Sequence, residues 1–234
     1  MNESPLIVAL DVDKAEEAVR LAKRVEPYVA GFKVGLELLL GPGPGTISAV
    51  ADLGKPVFAD AKLADIPNTV SGAARQLGRL GARWVTVHAS GGVDMMRAAI
   101  EGLRDGAGNR SAGILAVTVL TSIDASTLAG IGVSGTPGRQ VARLSSLAQR
   151  AGVEGIVCSP KEIGTVVQKA PELTIFTPGI RPESSEADDQ ARVGTPLDAI
   201  RRGARYLVVG RPITRAPDPG EAAATLLAGI AGNT

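Results

Sequence analysis

At 234 residues, with 25 Lys and Arg against 24 Asp and Glu and a formal net charge of +1, the chain has no charge excess or run of like charges suited to a nucleic-acid or membrane surface. Aromatic residues make up 3%, too few for the stacking platforms of a single-strand binder. The one cysteine, Cys158, excludes an internal disulfide and a cysteine metal cluster, and suits a reducing cytoplasm as the expected compartment. The opening stretch "MNESPLIVALDVDK" lacks a basic n-region, and its apolar run is too short for a signal peptide or a membrane span.

Eight short apolar runs follow in chain order. They are "LIVALD" (6–11), "VAGFKVG" (29–35), "KPVFADAK" (55–62), "RWVTVHAS" (83–90), "GILAVTVLTS" (113–122), "GIVCS" (155–159), "LTIFTPG" (173–179) and "YLVVG" (206–210). Near-continuous apolar strands mark a parallel sheet covered on both faces. Amphipathic stretches such as "DKAEEAVRLAKRV", "PNTVSGAARQLGRLG" and "GRQVARLSSLAQRAG" lie between them, several closed by a glycine where a helix ends. Eight β-then-α units in this length predict an α/β fold: a (β/α)8 TIM barrel, one domain over residues 1–234. One segment breaks the rhythm. Residues 179–196, "GIRPESSEADDQARVGTP", are polar and aperiodic, and their place after the seventh strand favours a lid, a phosphate-closing loop around 180–195.

In such a barrel the chemistry belongs to the C-terminal ends of the strands. Those ends carry Asp11, Lys33, Asp60 with Lys62, His88, Thr121 with Ser122, Ser159, Thr177 followed by Arg181, and Gly210 with Arg211. Asp60 and Lys62 are two apart, so an extended strand projects both to one face while Ala59 and Ala61 turn to the helices. Buried charges of opposite sign are tolerated as neutralising neighbours, and a lysine flanked by carboxylates stays protonated, a poor nucleophile and a good proton donor. Asp65 lies just beyond the strand, and Lys33 can reach the same centre, so that two lysines and two aspartates alternate in sign around one point. On these residues alone an ordinary rim ion pair remains the alternative. "TPGIR" and "VVGRP", ending strands seven and eight, fit a phosphate site of backbone N–H groups and an arginine fork.

"DAKLADIPNT" resembles the signature of the orotidine 5'-phosphate decarboxylase family, and "VALD", "FKVG", "VHASGG", "VTVLTS", "TPGIRP" and "VVGRPIT" resemble it in the same order, over essentially the whole chain. The resemblance implies a cytoplasmic lyase of UMP biosynthesis that takes orotidine 5'-phosphate to UMP without metal or other cofactor, acting as a homodimer. It implies that Asp11 and Lys33 hold ribose hydroxyls, that Lys33 joins the charged array, that Asp60 lies against the substrate carboxylate, and that Lys62 protonates C6. Asp65, Ile66 and Thr69 are implied as substrate contacts, with Asp65 and Thr69 serving the neighbouring subunit's ligand. Thr121 and Ser122 match the stretch that contacts the pyrimidine, while Arg181, Gln190, Gly210 and Arg211 match the phosphate-binding positions. The departure at Ala61, where many members carry a larger apolar residue, concerns packing.

Two other readings stand beside this one. A magnesium-dependent keto-sugar-phosphate decarboxylase or aldolase on the same barrel would use the acidic groups for metal and would typically have glycine in place of "IPNT". A barrel that binds a phosphate ligand without turnover would need none of Asp60, Lys62 and Asp65. Of the remaining residues, His88 is expected to be a hydrogen-bonded structural imidazole, Cys158 a small buried hydrophobe, Met95 and Met96 helix packing, and Trp84 core or interface.

Overall fold

The computed structural model describes residues 4–180 and 194–231. Eight strands, β1 (Leu6–Ala9), β2 (Gly31–Val34), β3 (Val57–Leu63), β4 (Trp84–His88), β5 (Gly113–Val117), β6 (Gly155–Val157), β7 (Thr174–Pro178) and β8 (Tyr206–Val209), pair in parallel and in chain order. β1 also pairs β8, which closes the barrel. Helices connect the strands, among them Ala15–Val25, Pro67–Arg79, Gly92–Ala107, Pro137–Ala151 and Pro219–Ala231. Gly152 ends Pro137–Ala151 in the left-handed conformation at φ 79°, which glycine adopts without a Cβ clash. Among the described residues no helix is long and apolar enough to cross a membrane.

Alternation along each strand separates two cores. Leu6, Val8, Phe32, Val57, Ala59, Val85, Ile114 and Ile175 face outward into the large core shared with the helices, where Met95, Met96 and Cys158 are also buried. Ile7, Ala9, Phe58, Trp84, Leu115, Phe176 and Val208 fill the barrel interior. There Trp84 and Phe176 meet edge to face at 5.2 Å, and Phe176 lies 4.8 Å from Tyr206, so aromatic packing plugs the barrel. Gly155 makes room for it: a Cβ there would fall 3.1 Å from the Phe176 ring and 2.6 Å from the Thr174 carbonyl oxygen.

Three local expectations change. The fifth strand stops at Val117 rather than running to 122, because β6 has only three residues to pair with it. Thr118 instead bonds the Val157 carbonyl with both its amide and its hydroxyl, and the chain then leaves the sheet. Thr177 does not reach the mouth: one residue past the inward Phe176, it turns to the helix layer and is fully buried. β3 is not regular at its end, since Ala59 pairs Val85 while the next pair is Leu63 with Val87. Four residues of β3 therefore advance against two of β4, a bulge that carries Asp60, Ala61 and Lys62.

Candidate active site

The inward phase of β2 and β3 brings Lys33 and Asp60 together at the C-terminal mouth, above the aromatic plug. Asp60 Oδ2 accepts from Lys62 Nζ at 2.7 Å and lies 3.7 Å from Lys33 Nζ, and Lys33 donates to Asp11 Oδ1 at 2.9 Å. The result is a continuous chain of alternating sign, Asp11, Lys33, Asp60, Lys62. The central side chains are sequestered, Lys33 at 12% and Asp60 at 13% exposure, whereas Lys62 at 28% and Asp11 at 51% open toward solvent. The second aspartate of this array within one chain is Asp11, on the neighbouring strand end. Asp65 stands apart and exposed, accepting the Ile66 N–H on Oδ1.

Asp60 and Lys62 share a side of the strand as the alternation implies, with Ala59 and Ala61 turned to the outer core, and the bulge lies in the same stretch. Lys62 has φ 48°, the sole described non-glycine residue with positive φ. A left-handed residue costs about 1–2 kcal/mol, and such conformations gather at functional sites. The Lys62 N–H donates to Thr86 Oγ1 at 2.9 Å, and the Thr86 hydroxyl donates to Asp60 Oδ1 at 3.0 Å. Burial alone would push the Asp60 carboxyl up; the ammonium groups of Lys33 and Lys62, with the bonds from Lys62 and Thr86, outweigh it and hold the carboxyl below its usual value. His88, at the end of β4, is half-buried, and its burial followed by the Lys62 charge pulls it below the usual imidazole value despite Asp60 nearby. Thr86 attracts no notice in the sequence, where a threonine within "WVTVH" reads as a β-branched strand residue.

Gly35 leaves room for the array. A Cβ there would stand 2.9 Å from Lys33 Nζ and 3.4 Å from Asp11 Oδ1. Around the mouth, Thr121 and Ser122 lie in the turn after β5, Gly210 ends β8, and Arg211 opens the short helix Arg211–Thr214. Ile66 and Thr69, with Asp65, belong to an exposed stretch running from 64 to 69, with Ile66 at 66% exposure. Ser159, at the end of β6, is buried and its hydroxyl donates to Glu162. Arg181 and Gln190 lie outside the described residues, as does most of the proposed lid.

The family model described as "Orotidine 5'-phosphate decarboxylase / HUMPS family" matches residues 4–226. This chain belongs to that family. It is 48% identical over 226 residues to orotidine 5'-phosphate decarboxylase of Anaeromyxobacter sp. (strain K), covering 96% of this chain and 97% of the relative. It is 49% identical over 230 residues to the enzyme of that name from Moorella thermoacetica (strain ATCC 39073 / JCM 9320), covering 96% and 91%. Among solved structures, orotidine 5'-phosphate decarboxylase from Lactobacillus acidophilus superposes with TM-score 0.86 at 36% identity, covering 97% of this chain and 99% of that one. The family's barrel is thus the frame on which the charged array sits.

Proposed function

We propose that this chain decarboxylates orotidine 5'-phosphate to UMP, the step of pyrimidine biosynthesis named in its relatives, with Lys62 as the proton donor to C6. The observation that carries the reading is the Lys62 ammonium held 2.7 Å from Asp60 at the barrel mouth, in a chain near half identical to proteins of that name. Gly210 and Arg211, with Arg181 and Gln190, hold the phosphate; Asp11 and Lys33 hold ribose hydroxyls; Thr121 and Ser122 hold the pyrimidine. The substrate carboxylate then lies beside Asp60. The bond from C6 to the carboxylate breaks, carbon dioxide leaves, and the electron pair stays on C6. Lys62 Nζ stabilises that charge and gives C6 a proton, in a site from which water is excluded.

The exposure of Asp65 and Thr69 supports their service to the ligand of a second subunit in a homodimer. The scheme calls on no metal or other cofactor, and the two carboxylates of the array, Asp11 and Asp60, bond lysine ammonium groups. Binding of the remote phosphate supplies energy realised at the transition state, so orotidine without phosphate should lose turnover as well as affinity.

Absorbance of the protein mixed with orotidine 5'-phosphate tests the reading. Conversion to UMP that survives chelator and disappears in Lys62→Ala is the expected result. Loss on chelation would favour the keto-sugar-phosphate reading, and no conversion of fresh substrate would overturn the decarboxylase.

A further inference from the structure

We propose that Thr86 is a positioning residue for this reaction, its hydroxyl joining the backbone of Lys62 to the carboxylate of Asp60 so that proton donor and acidic partner are held as one unit. The inference rests on the reading of Lys62 as the proton donor. Trp84, Thr86 and His88 alternate on the inner face of β4, and Thr86 is fully buried. In a regular parallel ladder alternate amides of β3 bond β4 and the others bond β2. The Pro56 carbonyl accepts from Phe32 of β2 and the Val57 carbonyl from Arg83 before β4, so regular alternation would point the Lys62 amide toward β2. Here the bulge carries Lys62 out of register, and its amide turns to the Thr86 side chain instead.

The direction of the two bonds is settled by chemistry. An amide can only donate, so Thr86 Oγ1 accepts from Lys62 and its own hydrogen goes to Asp60 Oδ1. Asp60 then has a donor on each oxygen, Thr86 on Oδ1 and Lys62 on Oδ2, which fixes the plane of the carboxylate. The left-handed backbone at Lys62 costs about as much as one hydrogen bond contributes, so the bond to Thr86 is of the size needed to hold it. Release of that backbone would turn the Cα–Cβ direction of Lys62 and carry its ammonium away from the mouth. A shift of about 1 Å in a reacting group costs on the order of 100-fold in rate.

The test compares wild type, Thr86→Val, Thr86→Ser and Lys62→Ala by steady-state turnover of orotidine 5'-phosphate and by direct binding of UMP. Valine keeps the β-branched shape and removes both bonds; serine keeps both bonds. The expected result is a fall in kcat of about 100-fold for Thr86→Val, with KM and UMP affinity within about threefold, and recovery to within about fivefold of wild type in Thr86→Ser. Should Thr86→Val not purify folded, Thr86→Ala removes the same bonds without adding an atom and takes its place. The proposal is overturned if the valine variant keeps kcat within about threefold, if KM and UMP affinity worsen as much as kcat, if serine is as poor as valine, or if valine and alanine variants both fail to fold. Full turnover in Lys62→Ala would overturn the reading of Lys62 and this inference together, whereas loss there beside an unchanged Thr86→Val would remove the inference alone.

Discussion

At the N-terminal end of the barrel, Glu154 accepts from both terminal guanidinium nitrogens of Arg83, at 2.9 and 2.7 Å, and from the Trp84 indole N–H at 2.7 Å. At the C-terminal end, Asp60 holds Lys62 at 2.7 Å and Lys33 at 3.7 Å, and Lys33 continues to Asp11 at 2.9 Å. The lower group is closed. One cation meets one anion in a bidentate fork, the guanidinium also lies 4.8 Å over the Trp84 ring, and the indole completes the carboxylate. The upper group is open, with flexible ammonium groups alternating with carboxylates and both ends directed to solvent. The closed arrangement ties together two loops 71 residues apart in sequence. The open one can exchange a partner for a ligand, which is what a site for a charged substrate needs.

The contrast is broken most severely by exchanging one residue at each end. Lys62→Ala should lower kcat by at least about 1000-fold with the fold intact, whereas Glu154→Ala should leave kcat within about twofold, both read by absorbance of substrate conversion. Equal losses would mean that the two ends do not divide function from stability. Gly35→Ala sharpens the upper half: its new methyl group would crowd Lys33, and kcat should fall about 10- to 100-fold while thermal stability changes little.

The lower half has its own signature. Glu154→Ala strands the Trp84 indole N–H in a residue 4% exposed and should cost about 2 kcal/mol, a fall in Tm of about 4–8 °C by scanning calorimetry. The smallest effect is in pH. Asp60 has its carboxyl below the usual 3.8, so its pairing contributes stability above that value and loses it as pH falls through the lower folded-state value. The difference in urea midpoint between wild type and Asp60→Asn should therefore be constant at neutral pH and shrink below about pH 4. A difference that grows on acidification would contradict the sign.

Much of this was legible in the sequence because buried parallel strands write themselves as apolar runs, and all eight runs became strands in the expected order. The polar residues ending them also marked the mouth, with Lys33 and Asp60 brought together as the periodicity implies. What escaped depends on register. Neither a glycine nor an asparagine flags the left-handed turn at Lys62, so the bulge has no local sign, and without the bulge Thr86 has no reason to be noticed. Thr177 looked like a rim residue from its distance along the run, yet phase alone sends it to the helices. The pairing of Lys33 with Asp11 within one chain is a contact between strand ends 22 residues apart, and the Arg83 to Glu154 fork spans still more chain.

In the proposed reaction an ammonium at position 62 delivers the proton. Cys158 is buried, so Lys62→Cys places one accessible thiol in the chain, at the site itself. Alkylation of that variant with 2-bromoethylamine rebuilds an ammonium of nearly the same reach. The variant should be inactive toward orotidine 5'-phosphate while still binding UMP, and should regain turnover on alkylation. Activity in the unalkylated variant, or continued inactivity of fully alkylated protein that binds UMP, would contradict the account.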